Sequence, residues 1–348
     1  MKRERLLGAR MLSQKLREPS TNLLDAAQHM LAIQSQDFSA GRYALAQRVA
    51  SAPSRDEVNA LFDGGQLVRS WTMRGTLHIC RAQDAKWLVR EARERTLKTA
   101  ATNLRALQID LPTIERATNL VTHLLMSVQR ASRATIYAEL ESHGIQTGKQ
   151  RGSHILLVLV QEGLICLGPI PADAKLIAQD YVLVDQWITQ HHQPAAPLQE
   201  LLLRYLGSHG PATVRGAAWY TGQTLTTMRQ VAKDVAQNLV AVGQDSRGED
   251  YLVVADSAAH QELEAGEVGE LPQRLLGPFD EYYLSTADRE LIADPAMQRA
   301  ILPANNGMFN AFWIQHGRAT HLWDANVAPT DSLGSALHQR YLDFRTAN

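Results

Sequence analysis

Four stretches between residues 197 and 256 follow one another in an order that few folds allow. "PLQELLLRYLGSHG" carries Leu198, Leu201, Leu202 and Leu206 at helical spacing, with Gly207 and Gly210 near its end. "PATVRGAAWYTG" reads as a second, short helix, with Pro211 suited to a first turn and Gly222 to a stop. "TLTTMRQVAKDVAQ" puts Leu225, Met228, Val231 and Val235 on one helical side. "NLVAVGQDSRGEDYLVVAD" then offers two β-prone runs around "QDSRGED", where Gly248 can take a positive φ. Three helices followed by a β-hairpin describe a winged helix.

The same order occurs twice more. "PTIERATNLVTHLLMSVQR", "SRATIYAELESHG" and "KQRGSHILLVLVQEGLICLG" give three helices and a strand, with Ser132 as an N-cap and Gly144 just past the second helix. Nearer the N-terminus, "STNLLDAAQHMLAI" is a helix expected to end near Ile33, and "SRDEVNALF" opens on a Ser54/Glu57 capping box. "QLVRSWTMRGTLHIC" reads as one strand, with Gly75 marking a bulge or a close approach. A long basic amphipathic helix follows from "AQDAKWLVREARERTLKTAATNLRAL". "HHQPAAPLQ" looks like a linker, and "NNGMFNAFWIQHGRATHLWD" a last hairpin turning at "QHGR". The expected fold is therefore α+β: three tandem winged-helix units over 1–105, 106–190 and 191–257, then a C-terminal mainly β domain over 258–348.

Composition narrows the function classes. The chain has 348 residues, 45% apolar and 20% charged, which is ordinary core-forming material. No apolar run has the length that spans a bilayer, and the basic N-terminus is too short and interrupted for a secretory signal. Only Cys80 and Cys166 are present, without zinc-ligand spacing, so buried thiols in a cytoplasmic protein are expected. The net charge is −1, but its distribution is uneven. Residues 1–105 hold 18 Lys and Arg against 10 Asp and Glu, whereas 245–270 hold one Arg against 8 acids. Such asymmetry can turn a basic face toward phosphates. Tandem winged helices commonly place helices in DNA grooves. Lys149, Arg151 and His154 in "GKQRGSH" would open one such helix, and Arg215, Arg229 and Lys233 are their counterparts in the third unit.

"LAIQSQDFSA" raises a separate question. Gln34 and Gln36 stand two apart, a spacing that shares a face only where the backbone is extended. In "SWTMRGTLH", an extended reading sets Thr72, Arg74, Thr76 and His78 on one face, Arg74 suited to hold a phosphate and His78 to support by hydrogen bonding. Asp280, in "GPFDEYYLSTADR", either orients a site residue or closes a turn.

In order along the chain, "LAIQSQDFSAGRYALAQRV", "VRSWTMRGTLHIC", "HGPATVRGAAWYTG" and "LLGPFDEYYLSTADR" together resemble the AlkZ-like and YcaQ-like winged-helix DNA glycosylases. The resemblance runs from the first helix to the last hairpin. It implies catalysis by a Gln–aliphatic–Gln motif, here Gln34 and Gln36, with Ser35 at the aliphatic position. It implies three winged helices around a β domain. It also implies double-stranded DNA carrying alkylated purines as substrate, bulky N7 adducts and interstrand crosslinks included. Arg74, Thr76, His78 and Asp280 would then line the site. No cofactor and no metal are expected, since Walker, zinc-ligand and dinucleotide signatures are absent. Nor does a lysine stand in the motif to form a Schiff base. The alternative is a non-catalytic tandem winged-helix transcriptional regulator, which would dimerise and prefer a sequence over a lesion.

Overall fold

Three times along the chain a helix, a short extended piece, two more helices and two strands follow in that order. The computed structural model describes residues 2–171, 179–266, 268–304, 307–327, 329 and 332–346. The first series comprises Leu23–Met30, Ala32–Gln34, Phe38–Ala46, Arg55–Asp63, Leu67–Trp71 and Leu77–Arg81. The second comprises Leu111–Val128, Arg130–Ala131, Arg133–Ser142, Arg151–Gln161, Ile165–Leu167 and Tyr181–Leu183. In the third, Pro197–His209, Val214–Thr221 and Leu225–Asp234 precede the strands Leu239–Gln244 and Asp250–Val254. There the short extended piece is a single bridge between Ala212 and Leu252.

Two compact units result. One is built from Met1–Val58 together with Ala196–Asn348, and the other from Asn59–Ala195. The second boundary falls within "HHQPAAPLQ", where Pro197 opens a helix.

In the Asn59–Ala195 unit, five strands lie side by side in the order Leu77–Arg81, Leu67–Trp71, Ile165–Leu167, Tyr181–Leu183, Arg130–Ala131. Their pairings are antiparallel. Val121, Leu125, Ile136, Leu140, Ile155 and Leu159 are buried beneath the sheet with Ile165 and Tyr181. The helix ends follow local rules. Ser132 Oγ accepts from the Thr135 N–H, and Gly144 takes φ +78°. Cys80 and Cys166 are both fully buried, and burial pushes the Cys166 thiol up to about 12.

Two apolar clusters are seen among the described residues of the Met1–Val58 and Ala196–Asn348 unit. One gathers Met11, Leu16, Tyr282, Tyr283, Ile301 and Ile314, and the other Leu6, Leu7, Tyr251, Val253 and Leu263. Ser54 and Glu57 form the expected capping box. The hairpin Leu239–Gln244 with Asp250–Val254 turns through Gly248 at φ +76°.

Four expectations are corrected. The helix expected to end near Ile33 stops at Met30, because Leu31 takes φ +66° and the chain continues extended from Ala32 to Gln34. "QLVRSWTMRGTLHIC" is a hairpin rather than one strand. Arg74 and Gly75 both have positive φ and the Thr76 N–H donates to the Met73 carbonyl, so Ser70 pairs with His78 and Trp71 with Leu77. That is a turn whose hand suits twisted strands, and Arg-Gly supplies it where Asn-Gly is the familiar signal. Pro211 does not open the second helix of its series. Thr213 caps it instead, accepting from Gly216. Finally, the described residues of 258–348 are not mainly β: they hold the helices Ala258–Ala265, Glu281–Leu284, Pro295–Ile301 and Ser332–Thr346 beside three short strands. Side-chain caps at Ser257 and Asp294 start two of these helices, and the hairpin's clear alternation masked such local signals.

Gly152 is the position where the second series has least room. A Cβ there would stand 2.6 Å from Tyr137 Cζ and 2.8 Å from Thr147 Cβ. Gly152→Ala is expected to destabilise the protein by ~1–3 kcal/mol, the scale of overpacking a filled core. Denaturant unfolding of the full chain measures this, and an unchanged midpoint would refute the tight packing.

Candidate active site

The Gln34–Gln36 segment gets its position from three local devices. Leu31, at φ +66°, turns the chain out of the helix Leu23–Met30. Asp37 then caps the helix Phe38–Ala46, its carboxylate accepting from the Ala40 N–H at 3.0 Å. Between them Ser35 is fully buried against Gly41, where a Cβ would meet Ser35 Cβ at 2.7 Å. A small residue at 35 therefore fits the space this chain leaves. Gln34 is 6% exposed, whereas Gln36 lies in the bend before the helix and is open to solvent.

Buried polar groups of the same unit hold the segment from behind. Tyr220 Oη donates to the Ala32 carbonyl at 2.8 Å. The Gln34 N–H donates to Glu281 Oε1 at 2.7 Å. Next to Glu281, Asp280 accepts two bonds from Arg48, at 2.8 and 3.1 Å, with both side chains wholly buried. Arg48 also donates to Gln14 Oε1 and the Ala44 carbonyl, each at 2.7 Å. Arg10 reaches the carbonyls of His209 and Tyr282 and the Ser285 hydroxyl. The His209 ring stacks on Tyr205, lies 4.6 Å from the Tyr220 ring, and brings Nε2 to 3.9 Å from Glu281 Oε2. Burial, with the nearby Arg10 and Arg48 cations, holds the His209 pKa well below the ordinary imidazole value.

Asp280 caps the helix Glu281–Leu284 through the Tyr282 N–H and pairs with Arg48, its side chain facing the interior. Gln34, Gln36 and Asp280 belong to the Met1–Val58 and Ala196–Asn348 unit, and Arg74, Thr76 and His78 to the other. Thr76 Oγ1 donates to the Met73 carbonyl within its turn, and His78 Nδ1 lies 2.9 Å from the Thr76 carbonyl. Since a carbonyl only accepts, Nδ1 carries the proton. Burial and the Arg74 charge push the His78 pKa down to about 3. His78 is thus held neutral.

A family model for DNA glycosylase AlkZ-like proteins matches residues 27–330. The chain belongs to the AlkZ-like DNA glycosylase family. A curated relative, the interstrand DNA cross-link repair glycosylase of Streptomyces sahachiroi, is 25% identical over 321 residues, covering 88% of this chain and 82% of the relative. The solved structure of Streptomyces sahachiroi DNA glycosylase AlkZ matches with a TM-score of 0.75 and 23% identity, over 92% of this chain and 87% of that one. The fold is shared at that distance. These family ties give the transcriptional-regulator alternative no support.

The six candidate DNA contacts divide within this frame. Lys149 and Lys233 are exposed. Half-buried His154 directs Nδ1 to the Gln150 carbonyl. Arg151 is turned onto the carbonyls of Leu107 and Gln108, at the end of the helix Ala82–Ala106. Glu249 takes both Arg215, by two bonds, and Arg229. Sequence reasoning passed over Glu281, His209, Tyr220, Arg48 and Arg10. One signal was available: an acidic pair, Asp280–Glu281, set in an otherwise apolar "LLGPFDEYYL".

Stability should fall on the acid side. The His78 folded-state pKa is about 3 against 6.5 in a free chain, so its contribution is complete above pH 6.5 and lost as pH falls toward 3. His29 and His209 are depressed in the same direction. Over that window His78 alone should cost on the order of 1.4 kcal/mol per pH unit. Denaturant melts of wild type and His78→Gln from pH 7.5 to 4.5 measure it. Equal slopes for the two would contradict the assignment.

Proposed function

We propose that this chain is a monofunctional DNA glycosylase that hydrolyses the N-glycosidic bond of cationic N7-alkylated purines. Bulky adducts and interstrand crosslinks fall within that class, in line with the relative named for cross-link repair. The observation that carries the reading is Gln34 at the end of the extended piece Ala32–Gln34, which buried groups hold, with Gln36 just beyond it in the bend and open to solvent. Each of the three element series is read as a winged helix, over 1–105, 106–190 and 191–257. Arg74 and Thr76, in the other unit, are read as candidate DNA contacts, Arg74 toward a phosphate.

The chemistry suits amides. Cleavage needs a departing base and a water at the anomeric carbon. An N7-alkylated guanine already carries a positive charge and leaves as a neutral molecule, so no strong acid is required. The protein has to orient water and favour an oxocarbenium-like sugar. A glutamine carbonyl oxygen accepts from the water and faces the growing positive charge, while its NH2 donates. Two such amides bracket one water. The neutral His78 and the fully engaged Asp280 take no part in proton transfer.

Gln36→Ala and Gln34→Ala should each slow excision of N7-alkylguanine by ~10²-fold or more, the scale of losing a placed polar group in a transition state. The double variant should cost less than the product of the two, because both act on one water. Mass analysis of bases released from alkylated DNA measures this, and normal excision by both single variants would end the water-bracket reading.

DNA binding supplies a separate check. Affinity for duplex DNA should fall steeply with salt, because the protein meets DNA mostly at phosphates. Lys149→Glu combined with Lys233→Glu should weaken binding and flatten the salt slope by about 2, near one unit for each phosphate that is no longer neutralised. Unchanged affinity would remove both lysines from the DNA face.

A further inference from the structure

The backbone of the glutamine segment is gripped by two side chains in a way that imitates a neighbouring strand. In an extended chain, the carbonyl of one residue and the N–H two residues later point to the same edge. On that edge of Ala32–Gln34 the Ala32 carbonyl takes a hydroxyl proton from Tyr220, at 2.8 Å. The Gln34 N–H gives its proton to Glu281 Oε1, at 2.7 Å. A donor and an acceptor, two residues apart, stand where a partner strand would present an N–H and a carbonyl.

The two grips are rigid. Tyr220, Glu281 and His209 are all at or near zero exposure. The His209 ring lies between them, 4.6 Å from the Tyr220 ring and 3.9 Å from Glu281 Oε2. Glu281 opens the short helix that Asp280 caps, and Asp280 is locked to Arg48. Neither grip tolerates a slip of the segment. A one-residue shift would place the opposite edge's groups against them and turn Gln34 to the other face.

A buried carboxylate is a costly way to satisfy one N–H, since a neutral acceptor needs far less desolvation. The bond it makes is short, at 2.7 Å. We propose that Glu281 and Tyr220 are positioning residues for the glycosylase reaction, fixing through backbone atoms where the Gln34 amide stands. The inference rests on the glycosylase reading above. Neither residue touches the reacting atoms; each acts through the segment it holds.

Single-turnover excision and amide hydrogen exchange, both on the full chain below its unfolding temperature, test this together. Glu281→Ala should lower the rate of the chemical step by ~10-fold or more, the cost of a displaced reacting group, with affinity for lesion DNA little changed. Glu281→Gln keeps an acceptor oxygen and should restore most of the rate. Tyr220→Phe should also slow the step, and the Glu281→Ala/Tyr220→Phe pair should be non-additive, as expected of two holds on one segment. Tyr205→Phe is the structural control. It removes a buried hydroxyl bond to the Ser285 carbonyl, outside the segment, and should leave the rate unchanged.

Exchange at the Gln34 amide gives a readout that needs no activity. It should quicken in Glu281→Ala and stay slow in Glu281→Gln and Tyr205→Phe. A wild-type rate and wild-type exchange in Glu281→Ala would overturn the proposal, as would Glu281→Gln being as slow as Glu281→Ala. If wild type releases no base while Gln34 exchange responds as expected, the positioning of the segment stands and the glycosylase reading falls.

Discussion

The Met1–Val58 and Ala196–Asn348 unit depends on one ion pair, between residues 232 positions apart. Arg48 and Asp280 meet in a two-pronged bond with no solvent exposure on either side chain. Removing a buried guanidinium from water is expensive, and a matched carboxylate with further acceptors makes it tolerable. Those further acceptors are Gln14 Oε1 and the Ala44 carbonyl. Through this one group the N-terminal helix Arg3–Ser13, the helix Phe38–Ala46 and the turn before Glu281 are tied to a common geometry. Asp280 also caps the helix that Glu281 opens, so the pair sets where Glu281 stands and, through it, where Gln34 stands.

This arrangement keeps strong acids and bases away from the proposed chemistry. Three titratable groups near the segment are already engaged in structure or held neutral. Asp280 is bound to Arg48, Asp37 caps a helix, and His209 is kept neutral by burial and by two arginines. Beside the exposed Asp37, an amide, Gln36, also faces solvent. Such a site can do little to an ordinary nucleoside, whose base leaves poorly. On the proposed reading it suits a base that has already become a good leaving group by acquiring charge, and selectivity for damage would then follow from the lesion's own reactivity.

Charge on this chain is less available than its sequence suggests. Of the arginines singled out as DNA contacts, Arg151 holds the end of a helix, and Arg215 and Arg229 share Glu249. An arginine used this way orders its own unit and offers phosphate only what remains. The lysines differ. Lys149 and Lys233 stay exposed, as a strongly hydrated ammonium on a flexible stem tends to. The uneven distribution of charge along the chain therefore points toward a nucleic-acid face better than any one arginine does.

The sequence by itself determined the recurring series of elements, because amphipathic spacing, the Ser54 and Ser132 caps and the turn at Gly248 are signals contained within a few residues. It also drew attention to the spacing of Gln34 and Gln36, and the resemblance to the glycosylase family marked them as the catalytic pair. Local pattern could not foresee the left-handed step at Leu31 that ends the helix early, because an apolar residue at positive φ violates the local preference and is sustained by its surroundings. It misjudged "TMRG" for the same reason, as two consecutive positive φ values are tolerated there by an arginine. Only the tertiary structure decided what holds the glutamines: Tyr220 on Ala32, Glu281 on Gln34, Arg48 on Asp280. Those bonds join positions some 190 to 250 residues apart. A periodicity of two or of 3.6 carries no information over such distances, so partners that meet only when the chain closes on itself leave no mark in the local sequence.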